Sequence, residues 1–327
     1  MNYNTMNKII TLTVNPAIDK STSVDGIRPN SKLRCNIPVY EPGGGGINVS
    51  RVIQELGGTS LCMYMAGGPT GTHLQNQLTA LNIVQQVIPI SGWVRENLAV
   101  TDTKNNEQYR FGMPGPIVEE SEWKSALMQL DTVLSENDFL VVSGSLCPGM
   151  PVDFFAKVSK IAKKNKAKYI LDTSGEALIK GANEGVYLLK PNLGELATLC
   201  GINEISYVEL ESVAKNFLKN NPCEILVISM GPQGAMIVSN NEVNYIKAPI
   251  VFQKSTIGAG DSMVAGMVLA LAQEKSISDM ASYGVACGTA ATMTEGTQLC
   301  KKKDVDKLNK WIIENSETSR KFKINKY

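Results

Sequence analysis

Short apolar runs and helix-like patterns alternate along most of this chain, and that alternation restricts the fold more than any single motif. Strand candidates lie at residues 9–14, 61–65, 139–143, 169–172, 187–190, 225–229 and 235–238. Helix candidates lie at 47–56, 73–81, 122–134, 153–164, 193–200, 208–218, 262–272, 279–293 and 304–314. Most of the strands are continuous apolar runs, as required when helices cover both faces of a parallel sheet. The pattern predicts an α/β fold with a doubly wound, mostly parallel sheet flanked by helices. A chain of 327 residues has room for two domains of ~150 residues. The alternation continues nearly end to end, so a single domain over 1–327 is expected. Two stretches interrupt it. Residues 22–40 read as extended pieces around Gly26 and Pro29, and 97–111 as a hairpin with the polar turn TKNNE. Insertions at about 20–41 and 96–112 are therefore predicted to form one small antiparallel β lid, or an oligomer interface. Residues 301–315 read as a final amphipathic helix and 316–327 as a flexible tail.

Charge excludes several roles. The chain carries 32 Lys and Arg against 31 Asp and Glu, a net charge of +1. That balance speaks against coating nucleic acid or an anionic membrane. The basic excess is terminal, with 9 basic and 4 acidic residues in 301–327. The start, MNYNTMNKIITLTVNP, shows no secretory signal. The longest apolar run, 263–272, falls short of the ~20 residues that span a bilayer. A cytoplasmic protein is expected. Seven cysteines without a C-x-x-C pair suggest thiols that are mostly buried, not a disulfide or zinc framework. The single histidine, His73, reads as a packing residue.

Four loops carry residues suited to chemistry. Gly43, Gly44, Gly45 and Gly46 precede an amphipathic helix containing Asn48 and Arg51. Without Cβ atoms a backbone can approach a ligand closely, and a helix start offers free N–H groups to oxygen or phosphate. The same run also reads as a plain turn into a helix. It is neither G-x-x-x-x-G-K-S/T nor G-x-G-x-x-G, which weakens the P-loop and dinucleotide readings. The second loop, Thr256-Ile257-Gly258-Ala259-Gly260-Asp261-Ser262, opens an apolar helix. Consecutive amides of Gly258, Ala259 and Gly260 can form an anion hole. Asp261 beside them suits a base that takes a hydroxyl proton while a phosphoryl group transfers, or merely an acid at a positive helix end. The third, Lys190-Pro191-Asn192-Leu193-Gly194-Glu195, reads either as a capping box or as Asn192 and Glu195 beside hydrated Mg²⁺. In the fourth, Asp19 follows the first strand, where α/β folds keep ligands. Lys32, Arg34 and Arg95 lie in or beside the lid and suit a phosphate or an exposed sheet edge. Ser143 ends a strand, and Ser229, Gly231 and Gly234 belong to a glycine-rich turn.

Together these loops resemble the PfkB, or ribokinase-like, carbohydrate kinases, from about Lys8 to about Asp306. GGGGINVSR resembles the family's N-terminal signature, STIGAGDSMVAGM its C-terminal signature and KPNLGE its N-x-x-E motif. TLTVNPAID resembles the opening of its phosphofructokinase and tagatose-phosphate kinase branch, and within that branch EQYRFGMPG, VVSGSLCPG, DTSGEAL and SMGPQGA are similar to the 6-phosphofructokinases. Fructose-1-phosphate and tagatose-6-phosphate kinases of the family usually carry GGKG where this chain has GGGG. The resemblance implies ATP-dependent phosphorylation of fructose 6-phosphate at its C1 hydroxyl. It implies Asp261 as base, with Gly258, Ala259 and Gly260 as the anion hole. It places the sugar on Asp19, Gly44, Gly45, Asn48 and Ser143, and its phosphate near Lys32 and Arg95. ATP falls to Lys190, Asn192, Ser229, Gly231 and Gly234, and Mg²⁺ to Glu195 through water. Ser255, Ile257, Ala291 and Gly296 match positions at which members hold K⁺. A homodimer through the lid is also implied.

Overall fold

The computed structural model describes residues 7–240 and 242–324. Thirteen strands are described: β1 (Ile9–Thr13), β2 (Ala17–Val24), β3 (Val39–Gly43), β4 (Leu61–Ala66), β5 (Gln85–Pro89), β6 (Arg95–Asp102), β7 (Glu107–Phe111), β8 (Phe139–Ser143), β9 (Lys168–Asp172), β10 (Val186–Leu189), β11 (Cys223–Ser229), β12 (Ala235–Ser239) and β13 (Val243–Ile246). Ten helices accompany them: α1 (Gly45–Glu55), α2 (Gly68–Ala80), α3 (Glu120–Val133), α4 (Phe154–Lys164), α5 (Gly175–Glu184), α6 (Leu193–Cys200), α7 (Leu210–Asn220), α8 (Ala259–Ala272), α9 (Ile277–Thr292) and α10 (Lys302–Ile324).

Nine strands form the main sheet in the order β13-β12-β11-β10-β9-β8-β1-β4-β5. Neighbours pair in parallel from β5 across to β11, and β12 and β13 add antiparallel strands at one edge. Successive side chains of a strand point to opposite faces, and the core divides accordingly. Ile10, Leu140, Val142, Leu171 and Leu226 pack under α3, α4, α5, α6 and α7. Ile9, Phe139, Val141, Ile170 and Val227 pack under α1, α8, α9 and α10. Helix α8 is apolar along nearly its whole length, because it lies between the sheet and α9 and is buried from Ser262 to Ala272. The predicted α/β fold, helices on both faces of a mostly parallel sheet, is what the structure shows.

The separate small sheet has the order β3-β2-β6-β7. Its outer pairs are antiparallel, and β2 runs parallel to β6 in a register that sets Asp19 beside Asn97. Strand β2 begins at Ala17, almost directly after β1, so Asp19 lies inside this sheet. Residues 25–38, expected to be extended pieces, hold no regular strand.

The prediction misses three elements, for physical reasons. Helix α5 was hidden by Gly175 and Gly181, which lower helix propensity. Gly181 serves close packing, since a Cβ there would lie 2.6 Å from Leu171. Strand β5 is an edge strand and β13 a four-residue one, each with a mixed polar pattern. Helix α2 starts well before residue 73, because Pro69 suits a first turn. Helix α10 continues past 315 to Ile324, a stretch without Gly or Pro, so the expected tail is largely helical. The first six residues and the last three lie outside the described ones.

Candidate active site

Strand β1 lies between β8 and β4, so successive connections leave it in opposite directions. A crevice opens at such a switch point beyond the carboxyl ends of the strands. The ends of β1, β8, β9 and β10 deliver Thr13, Ser143, Asp172 and, just after, Lys190. The glycine run closes this crevice by packing tightly. A Cβ on Gly45 would lie 2.1 Å from Ser143 Oγ, and one on Gly46 2.6 Å from Thr13 Oγ1. Gly44 has φ of 111°, which disfavours any side chain. The run seats the start of α1 on the tips of β1 and β8, and Asn48 follows one turn later.

Helix α8 approaches from the other side. Gly258, with φ of 71°, is its N-cap, and a Cβ there would lie 2.4 Å from Leu299. The amides that follow precede the first intrahelical bond, Ser262 N–H to Gly258 O at 2.8 Å. Asp261 therefore sits in the first turn of α8, where the Ala259 N–H donates to Thr256 O at 3.4 Å. Asn48 Nδ2 donates to its Oδ2 at 2.9 Å, and Ser143 Oγ donates to its Oδ1 at 3.2 Å. Burial, with repulsion from Asp172, lifts the carboxyl to about 6, against the pull of Asn48, Lys190 and Ser143. Lys190 is only 6% exposed and pairs with Asp172 at 3.1 Å. Burial works against its charge, but Asp172, Glu195 and Asp261 outweigh that and raise its pKa. Lys190 thus stands beside the loop at Gly258–Gly260, with Nζ 3.6 Å from where a Cβ on Gly260 would be.

On the side of the small sheet, Asn97 Nδ2 donates to Asp19 Oδ1 at 2.9 Å. Burial raises the Asp19 carboxyl, while Asn97, Arg95 and Arg51 hold it down. Arg95 reaches Met113 O at 2.9 Å and Asn15 O at 3.1 Å. Its Nε, Thr13 Oγ1 and Asn15 Oδ1 are buried polar atoms without a hydrogen-bond partner among the described residues. Such atoms are rare in native folds and invite a polar ligand. Lys32 is not brought to this cluster and lies exposed within 25–38, as does Arg34. His73 sits edge-on to Tyr40 at 6.1 Å, a packing role as expected.

A cavity of about 330 Å³ adjoins the anion loop and is lined by Ser229, Gly231, Gly234, Ala259, Gly260 and residues of α9. Asn192 bridges to Ser229 in parallel strand fashion. The capping-box alternative is realised: Asn192 Oδ1 accepts from Glu195 N–H, and Glu195 Oε2 from Asn192 N–H, each at 2.9 Å. Burial and the nearby Asp172 raise the Glu195 carboxyl despite the Asn192 amide. Ser255 Oγ donates to Gly296 O at 2.8 Å and accepts from Ile257 N–H at 3.2 Å. Ala291 O accepts from Thr294 Oγ1 at 2.7 Å. No group of three or more His, Cys, Asp or Glu suited to a metal occurs among the described residues.

Asp172, Asn97, Thr13 and Asn15 join the site without having been singled out. Thr13 and Asn15 fall within the TLTVNPAID stretch and Asp172 opens DTSGEAL, whereas Asn97 is marked only by standing at the start of the predicted hairpin.

Residues 4–304 match the pfkB family carbohydrate kinases. The chain belongs to that family. It is 39% identical to the ATP-dependent 6-phosphofructokinase isozyme 2 of Escherichia coli, over 94% of this chain and 99% of that one. Two solved structures of Escherichia coli phosphofructokinase-2 superpose on this pfkB-family fold, each covering 94% of this chain and 99% of the other. One, in complex with potassium, has a TM-score of 0.91 at 39% identity. The other, in complex with fructose-6-phosphate, has 0.89 at 38%.

Proposed function

We propose that this kinase transfers the γ-phosphoryl group of ATP to the C1 hydroxyl of fructose 6-phosphate, giving fructose 1,6-bisphosphate and ADP. The observation that carries this reading is Asp261, a carboxylate held by Asn48 and Ser143 in the first turn of α8. Asp261 takes the hydroxyl proton as the new O–P bond forms and the bond to ADP breaks. The amides around Gly258, Ala259 and Gly260 stabilise charge on the transferring group. Phosphoryl transfer needs mainly positioning and charge stabilisation, and this site is built for both. Asp19, Gly44, Gly45, Asn48 and Ser143 hold the sugar, with Arg95 for its phosphate. Lys190 spans the transferring phosphates. Ser229, Gly231 and Gly234 border the cavity assigned to ATP, and Asn192 adjoins them through its bridge to Ser229.

Mg²⁺ would be held through water at Glu195, whose Oε2 already caps α6; when bound it neutralises phosphate charge. K⁺ would be held by oxygens at Ser255, Ile257, Ala291 and Gly296, of which the Ser255 hydroxyl ties Ile257 to Gly296. With no described helix long and apolar enough to cross a membrane and a near-neutral chain, a cytoplasmic homodimer completes the reading.

The choice of sugar rests on Gly45 and on the relatives. The third glycine of the run is where GGKG enzymes carry Lys, and here a Cβ would strike Ser143 Oγ. Comparing kcat/KM for fructose 6-phosphate, fructose 1-phosphate and tagatose 6-phosphate by ADP release tests it. Preference for either of the latter two overturns the substrate. Binding without turnover of any of them would make the protein a sugar-phosphate sensor.

A further inference from the structure

A ring of contacts joins strand β3 to Asp261 through Glu41, Arg51 and Thr297, to which the phosphoryl transfer gives no role. Arg51, on α1, donates from NH2 to Glu41 Oε1 at 3.0 Å and from NH1 to Pro42 O at 2.7 Å and Asn48 Oδ1 at 3.3 Å. Glu41 lies on β3, in register with Asp19 on β2. Its second oxygen accepts from Thr297 Oγ1. Thr297 follows Gly296, whose carbonyl accepts from Ser255 Oγ at the root of the anion loop. Asn48 donates to Asp261 at 2.9 Å and so closes the ring. The ion pair is largely shielded, with side-chain exposures of 13% for Arg51 and 16% for Glu41. A planar fork in such a place fixes geometry more than it adds stability.

We propose that Glu41 and Arg51 are a positioning pair for the reaction. They lock β3, α1 and the loop at Thr297 into one arrangement, and through Asn48 they orient the Asp261 carboxylate toward the acceptor hydroxyl. The amide of Asn48 can offer its N–H to Asp261 only while its oxygen faces Arg51, so the guanidinium sets the amide's rotation. Glu41, next to Asp19 on the sheet that meets the sugar, makes that setting depend on where β3 lies. This inference rests on the kinase reading above but not on the identity of the sugar.

The test uses whichever ketose phosphate the unaltered chain turns over fastest, so a wrong choice of sugar changes the substrate and leaves the comparison intact. Arg51→Lys keeps the charge but loses the fork, and Thr297→Val cuts only the Glu41 contact at nearly equal volume. Each should lower kcat by about 10- to 100-fold, the scale of a small misplacement of reacting groups. KM for sugar and for ATP should stay within about threefold, and combining the two changes should cost little more than the worse one, as expected within a single network. If both variants melt like the parent and keep kcat within about twofold, or if they act through KM alone, the proposal fails. If Arg51→Lys proves poorly folded, Thr297→Val decides alone.

Discussion

As the proposed base, Asp261 has to accept a proton near neutral pH and yet stay ionised beside the negative phosphates of its substrates. Its surroundings set that compromise, since burial and Asp172 push its carboxyl up while Asn48, Lys190 and Ser143 hold it to about 6. Asp261→Asn should lower kcat by about 10²- to 10⁴-fold, the usual worth of a positioned base. Sugar-phosphate affinity measured by calorimetry should change little, and near-parental turnover would remove the base assignment. Because the ionised form reacts, kcat should rise with pH through about 6 and level above it. Neighbours should move that limb in opposite directions. Asp172→Asn removes a like charge and frees Lys190 toward Asp261, shifting the limb to lower pH. Asn48→Ala removes a donor that favours the charged form, shifting it to higher pH. A pH profile of the three proteins in which both limbs move the same way would contradict this account. Asp261 was legible in sequence because glycines and an acid abut an apolar helix. Asp172 was not, because its effect arises only when two distant strand ends are brought together.

At the scale of elements, the glycines act as spacers. Gly46 allows α1 to approach β1 so closely that a Cβ would lie 2.6 Å from Thr13 Oγ1 and 2.9 Å from Leu12 O. The second neighbour is backbone and cannot swing away. Gly46→Ala should therefore destabilise the fold by about 1–3 kcal/mol, the range for overpacking, read as a shifted denaturant midpoint. Gly112→Ala is the control, since its Cβ would meet nothing within 4 Å, and it should be neutral. An unshifted midpoint for Gly46→Ala would mean that α1 can move away. Helices and strands with plain periodicity, such as α4 and β8, were legible from their patterns. Helix α5 was not, because a glycine placed for contact with Leu171 looks like a helix breaker when only propensity is available. Nor did any pattern show that β2 and β6 pair in parallel; that follows from where β1 and β5 deliver the chain.

For the whole molecule, the small sheet has two unlike faces. Register partners share a face: Asp19, Glu41 and Asn97 lie on one, with Arg110, whose NH2 donates to Thr256 Oγ1 at 3.2 Å. That face looks onto the crevice. On the opposite face the row Tyr40, Lys20, Leu98 and Phe111 crosses the four strands, with Lys20 Nζ over the Tyr40 ring at 5.1 Å and Tyr109 two residues from Phe111 along β7. Tyr40, Tyr109 and Phe111 are 40%, 38% and 48% exposed. An apolar cluster of this kind on a sheet fits an interface better than open solvent. A closed two-fold assembly would bury the same patch on both copies. The +1 net charge offers little repulsion against such pairing. Sedimentation of the unaltered chain should show a dimer. Tyr109→Asp combined with Phe111→Asp places charge in the middle of the patch and should give a monomer with an unchanged circular dichroism spectrum. Turnover should fall with the dimer, because the face that carries Asp19 and Glu41 belongs to the same four strands and loses its outer support. A parent chain that sediments as a monomer, or a doubly charged variant that still dimerises, would place the interface elsewhere and leave this sheet acting only as a cover for the sugar.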